Sequence, residues 1–374
     1  MTEREALIVL NMSSSVGPVR AKELSSVLGS FAAILEAPRN TLSSISGVGA
    51  KLADEIASWQ NDAQARLDAE LALVERARVE IITVEDPGYP SKLKEIHDAP
   101  LALYVRGSLQ ALELPAPTLG VVGTRRPTRY GSNMAERLST AASHAGWPVV
   151  SGLAYGIDAI AHAAVVDAKG AAIAVLGGGL ARIHPQDHIP LAKRIIETGG
   201  AVVSEFPMEK TPNKRTFPMR NRIISGLSDG VLVVEAGLGS GSLITANFAL
   251  EQGRSVFSVP GRAEDPQAMG TNKLLKDGAA LVESFDDILA EFEFLPGMAN
   301  AETKAAVEPT LDIARLEGNE KTVAEFLEVS GESSADQIIA GTGISAGDAL
   351  AALMGLKLRK IVSEASGKRF ALKK

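Results

Sequence analysis

The chain of 374 residues has no cysteine. Disulfides, thiolate metal sites and cysteine nucleophiles are therefore excluded, and a reducing cytoplasm is the compartment we expect. Aromatic residues make up only 4% of the chain, so each one outside a core segment carries information. The net charge is −7, which rules out a molecule coated in basic surface. A site for nucleic acid would have to be a local patch in an acidic background. The N-terminus carries Glu3 and Glu5 and no long apolar run, so neither a signal peptide nor a membrane span is expected there.

What is present is a hydrophobic fraction of 45% and 35 glycines, the balance of an α/β protein with a large core. At this length two or three domains are expected. Residues 1–70 read as short helices. Ile45-Ser46-Gly47-Val48-Gly49-Ala50-Lys51-Leu52 forms a glycine hairpin between two of them. It resembles a helix-hairpin-helix motif, a SAM-like module, and Val16-Gly17-Pro18 with Arg20 and Lys22 reads as a weaker first copy. Such a module meets a DNA phosphate or merely packs against protein, and fold alone does not choose.

Residues 71–295 read as an extended Rossmann-like domain. After a strand at Glu80–Val84, a proline-rich connector and a strand at Leu101–Val105, apolar runs of three to five residues alternate with helical stretches. The predicted strands are Leu119–Val122, Pro148–Val150, Ala172–Leu176, Ala201–Ser204, Val231–Glu235, Ser255–Val259 and Ala279–Val282. The predicted helices are Ser132–Ala145, Ile157–Ala168, Pro190–Thr198, Leu243–Gly253 and Thr271–Asp277. The strands lack polar alternation, as strands covered on both faces should. This repeat implies a doubly wound parallel sheet with its ligand site at the carboxyl ends of the strands. Residues 296–316 read as a linker, and 317–374 as a winged helix: helices at Ala335–Ile339 and Ser345–Leu358, then strands at Lys360–Glu364 and Arg369–Leu372.

The stretch that stands out is Lys214-Arg215-Thr216-Phe217-Pro218-Met219-Arg220-Asn221-Arg222. Four cations, an aromatic ring and an amide donor fall together without a carboxylate, too much unpaired charge for a core segment. Cations hold phosphates and a ring stacks a base, so an exposed loop that grips a single strand is one reading, and a solvated charge cluster the other.

Other strand ends carry anion donors. Gly123-Thr124-Arg125 opens a glycine turn bearing three arginines before a helix, and an arginine there adds a bidentate clamp to the helix amides. It is not GxGxxG and has no ribose-binding acid, so no dinucleotide cofactor is expected. In Ser151-Gly152-Leu153-Ala154-Tyr155-Gly156-Ile157-Asp158 the glycines, Gly152 first, permit close backbone approach, while Asp158 suits a helix start. Gly177-Gly178-Gly179 marks a third strand end. Ser240-Gly241-Ser242 pairs hydroxyl donors with glycine at a further helix start; as nucleophiles these serines lack an apparent base. His184 and His188 have metal-ligand spacing, but Pro185 and Pro190 oppose a helix through both, so no metal is expected. Tyr155 and His162 read as structural.

In order and spacing, Gly123-Thr124-Arg125, Ser151 to Asp158, Ser204-Glu205-Phe206-Pro207, Phe217-Pro218-x-Arg220-Asn221-Arg222, Ser240 to Thr245 and Val259-Pro260-Gly261 resemble the DNA-processing protein A (DprA/Smf) family. The resemblance implies a homodimer, joined through the Rossmann-like domain, that binds single-stranded DNA and delivers it to the RecA recombinase in natural transformation. It implies a binder, not an enzyme, with no cofactor. It maps a phosphate contact to Arg125 and a phosphate-and-base grip to Lys214 and Phe217; Arg220, Asn221 and Arg222 continue that motif. Members commonly have Tyr-Pro where this chain has His184-Pro185. The alternative is a Rossmann-type phosphoribohydrolase of the lysine-decarboxylase-like group. Its glycine loop is followed by a catalytic Glu, whereas here none follows until Glu251.

Overall fold

The computed structural model describes residues 1–114, 116–293, 318–358, 361–365 and 369–372. The chain divides into two compact units, Met1–Ala299 and Asn300–Lys374.

In the first unit six short helices, from Glu3–Met12 to Ala63–Ala77, precede the sheet. Two of them, Arg39–Ser44 and Ala50–Trp59, flank the predicted hairpin. Gly47 there has φ +81°, a conformation that a side chain would strain. The first helix is tied to the sheet: Arg4 donates to Ile81 O at 2.7 Å and Asn11 donates to Glu205 O at 2.7 Å.

The sheet has nine strands: β1 Glu80–Thr83, β2 Ala102–Gly107, β3 Leu119–Gly123, β4 Val149–Ser151, β5 Ala172–Val175, β6 Ala201–Ser204, β7 Gly230–Val234, β8 Ser255–Ser258 and β9 Ala280–Leu281. Their order is β1-β2-β6-β5-β4-β3-β7-β8-β9. From β6 to β9 every pairing is parallel. The two strands before the alternating pattern extend the same sheet antiparallel at its edge, β2 pairing Tyr104 with Ser204. The central strands are buried throughout, which is why their sequences are unbroken apolar runs. The chain winds outward from β3 through β4, β5 and β6, then crosses to β7 on the other side of β3. A crevice opens at the carboxyl ends where that direction reverses, the usual ligand position in such sheets.

The predicted helices are present with small shifts; Arg129–His144 starts three residues early because the Thr128 side chain caps it. Helices that the sequence does not predict include Ser91–Lys94, Phe285–Glu293 and, most consequentially, Thr216–Gly226. The cation-rich stretch is thus the start of a helix, not a loop. Pro218 is its third residue, where the backbone N–H has no intrahelical partner to lose.

The second unit contains helices Gly318–Ser330, Ala335–Thr342 and Ala346–Leu358 and the strands β10 Ser333–Ser334, β11 Val362–Ala365 and β12 Arg369–Leu372, ordered β10-β12-β11. The two helices and the two-stranded wing read from the sequence correspond to the last two helices and β11–β12. The predicted linker 296–316 and Lys360 lie outside the described residues.

Candidate nucleic-acid interface

The helix Thr216–Gly226 is held at its start by Asn213. Its side-chain oxygen accepts from Arg215 N at 2.8 Å and Thr216 N at 3.2 Å, while Thr216 Oγ1 accepts from Asn213 N at 2.9 Å. Lys214 and Arg215 are left exposed, and the Phe217 ring is half-buried. The helix faces an open cleft of about 480 Å³ at the reversal of the sheet. Gly123, Arg125, Lys214, Phe217, Arg220, Asn221 and the Ser240-Gly241-Ser242 turn all line it. Thus three strand ends separated by long stretches of chain meet at one place.

The β3 turn is fixed from β7. Thr124 N donates to Glu235 O at 2.7 Å, and Thr128 N donates to Glu235 Oε2 at 2.8 Å. The Thr128 hydroxyl bonds the other carboxylate oxygen. Glu235 itself has φ +51°, a strained setting for a residue with a side chain, held by these bonds. Arg125 is left exposed at the tip, with its guanidinium carbon 5.4 Å from the Phe217 ring centre. Sequence reasoning noticed Glu235 as a strand end; its grip on the Arg125 turn depends on β3 and β7 being neighbours.

Two cations of the stretch correct the expectation of exposure. Arg220 lines the cleft floor, but its guanidinium is buried and donates to Gly152 O at 2.6 Å and to Val175 O. Burial lowers its pKa to about 10, with Asp158 opposing and Arg125 adding to the shift, so it stays cationic at neutral pH. Gly152 contributes by leaving room for that guanidinium, which a Cβ would approach to 2.4 Å. Arg222 does not line the cleft. It is buried in ion pairs with Glu205 and, at 3.0 Å, with Asp98, so its charge is met by carboxylates remote in sequence. Thr124 also lies outside the lining, its backbone spent on Glu235 and on Ile157 N.

Asp158 lies in the cleft wall, in the first turn of its helix but not as the cap. Its carboxylate accepts from Gly152 N at 3.1 Å and from Ala154 N at 3.4 Å. Burial raises its pKa, opposed by Arg220 and those two amides. Ser240 caps the next helix, accepting from Ser242 N, and its hydroxyl lies 2.7 Å from that of Ser242. Asn221 donates to Gly241 O at 3.2 Å, tying the helix to this turn. His188 Nδ1 lies 2.8 Å from Leu153 O, and the Tyr155 hydroxyl donates to Asp187 at 3.0 Å. His184, in contrast, places its ring 6.1 Å from Phe217. Among the described residues no group of three His, Asp or Glu side chains is arranged to hold a metal ion. His162 is fully buried beneath the site, and among the described residues neither of its ring nitrogens has a well-formed hydrogen bond. Burial, with Arg220 and His188 nearby, lowers its pKa to about 3, only partly offset by the nearby Ser151 backbone.

The arrangement presents two exposed cations and a ring in a crevice open to solvent, able to hold phosphates and stack a base. Residues 80–293 match the family model described as DNA recombination-mediator protein A, and residues 9–58 match a SAM-like helix-hairpin-helix tandem. Protein Smf of Synechocystis is 33% identical, over 99% of this chain and 98% of its own length. Protein Smf of Escherichia coli is 45% identical over 61% of this chain, which spans 60% of that relative's length. The crystal structure of DNA processing protein A from Streptococcus pneumoniae superposes with a TM-score of 0.67 at 33% identity, covering 79% of this chain and 99% of that one. A DNA processing protein A structure from Helicobacter pylori, described for its single-stranded DNA binding mode, gives 0.52 at 29% identity over 57% of this chain and 96% of that one. With residues 80–293 matching the family model and a relative 33% identical over 99% of the chain, the chain belongs to the DNA-processing protein A (DprA/Smf) family.

Proposed function

We propose that this chain binds single-stranded DNA in the cleft between β3 and β7, shields it, and delivers it to the RecA recombinase in natural transformation or homologous recombination. The observation that carries the reading is the meeting of exposed Arg125 and Lys214 with the half-buried Phe217 ring in one open cleft. Phosphates take the cations and a base takes the ring, a combination indifferent to sequence. The Helicobacter pylori relative's single-stranded DNA binding mode supports the same use of the fold. Delivery to RecA, a homodimer formed through the sheet domain and a cytoplasmic setting belong to this reading by family likeness.

The cleft serves binding, not chemistry. Ser240 and Ser242 bond to one another, and among the described residues that line the cleft there is no histidine to activate either. Asp158 is occupied by two amides, and Glu235 by the Thr128 turn. The phosphoribohydrolase alternative needs an acid after the glycine loop, and Glu251 sits exposed at the far end of the following helix.

Titration of labelled single-stranded and duplex DNA of equal length tests the reading. Tighter binding to the single strand, weakening steeply with salt, is expected. Equal affinity for duplex would overturn it. For the RecA step, the chain should shorten the lag of RecA filament growth on a pre-coated single strand, and an unchanged lag would remove that part.

A further inference from the structure

The Phe217 ring has a neighbour that the cleft reading does not use. His184 lies on the loop after β5, its ring 6.1 Å from the Phe217 ring centre and tilted by 48°. The residue is exposed. The rings are near enough to be neighbours and too divergent to stack on each other. Their spacing is built rather than accidental. The β5 loop is stitched to the segment leading into the Phe217 helix by Gly179 N donating to Lys210 O at 2.8 Å and Ala181 N donating to Met208 O at 3.0 Å. Ser204 Oγ donates to Gly178 O at 2.8 Å, fixing the same loop to β6. At Gly177 a Cβ would come within 2.9 Å of the Phe217 ring, so the loop closes directly on it. Pro185, next to His184, is buried and anchors the ring's base. Two rings on two mutually braced segments thus stand side by side, their planes tilted 48° apart.

We propose that His184 is a second base-contacting residue: with Phe217 it bounds a wedge that receives one nucleobase, gripping a base that Phe217 alone would only support. The proposal rests on the reading of the cleft as a single-strand site. A flat heteroaromatic is the ligand class that such a wedge selects, because it meets both rings at once, whereas a phosphate or sugar would meet neither face favourably. The imidazole also carries two ring nitrogens that can bond a base edge, which phenylalanine lacks.

The test uses the full chain and an oligothymidylate carrying a single 2-aminopurine, whose fluorescence reports stacking. The position of greatest quenching is located, and a second strand is made abasic there. His184→Ala should weaken binding about five- to tenfold, and His184→Phe should restore most of it. The loss should vanish on the abasic strand and in the Phe217→Ala background, since both remove the shared base contact. The melting temperature of His184→Ala should match the parent, as the residue is exposed. Parental affinity in His184→Ala, with Phe217→Ala weakened, would overturn the wedge and leave the cleft reading standing. Parental affinity in both variants would overturn the two together. An undiminished loss on the abasic strand would overturn the wedge by showing that His184 acts on something other than a base.

Discussion

Lys214 and Arg222 belong to one short segment and carry the same charge, yet the fold uses them in opposite ways. Lys214 precedes the helix, lines the cleft and stays exposed to water. Arg222 lies further along the helix, 4% exposed, with Glu205 and Asp98 closed around it. Arg220 stands between the two, lining the cleft yet spending its donors on carbonyls at the ends of β4 and β5. The difference teaches that a run of cations in sequence is divided by helical geometry. Positions 214, 217 and 221 share the side facing the cleft, and position 222 turns to the other. Half of what reads as a binding patch is scaffold that holds the other half in place.

The largest effect that would sharpen this contrast is on stability. Arg222→Ala strands Glu205 in the interior, where burial already raises the carboxyl pKa against the help of Arg222. Breaking a buried pair from one side costs about 3–5 kcal/mol, so its melting temperature should fall markedly. Combining Arg222→Met with Glu205→Leu should recover most of that deficit, because the stranded charge is gone. Thermal melts of the parent and both variants check this, and a stable Arg222→Ala would place Arg222 among the binding cations after all.

Lys214→Ala and Arg125→Ala should behave in the opposite way. Each should melt like the parent and lower single-strand affinity. The slope of log K against log salt should shrink by about 0.7 for each phosphate that is no longer neutralised. Affinity measured at several salt concentrations decides, and an unchanged slope would assign both residues to solvent.

The smallest effect is on acid stability. His162 has a native pKa of about 3, against an ordinary value near 6.5 in the unfolded chain. The unfolded state therefore binds the extra proton between those values, and stability present above pH 6.5 is lost as pH falls toward 3. Since neither ring nitrogen has a well-formed hydrogen bond among the described residues, His162→Phe gives up little polar bonding. Its melting temperature should fall less than the parent's between pH 7.5 and 5, and an equal fall would assign the acid sensitivity to other groups.

The strands and most helices are legible because burial on both faces leaves unbroken apolar runs, as in Val231–Val234. The site helix is not, because Pro218 reads as a breaker when it occupies the one turn that tolerates it. The position of the cleft follows from glycine turns at strand ends, and Arg125, Lys214 and Phe217 are where their chemistry suggests. Arg222 misleads because Asp98 is far away in the chain, so nothing local announces that its charge is met. Glu235 and His184 matter only once β3 lies beside β7 and the β5 loop beside residue 210.

Phe217→Ala tests the central claim most directly, with melting temperature and single-strand affinity measured on one preparation. The ring is half-buried at the cleft edge, so its removal should cost clearly less stability than the about 3–5 kcal/mol of a core phenylalanine. Binding should weaken by about 1–3 kcal/mol at every salt concentration, because stacking releases no counterions. A large fall in melting temperature with single-strand affinity intact at low temperature would contradict the account and place Phe217 with Arg222 in the scaffold.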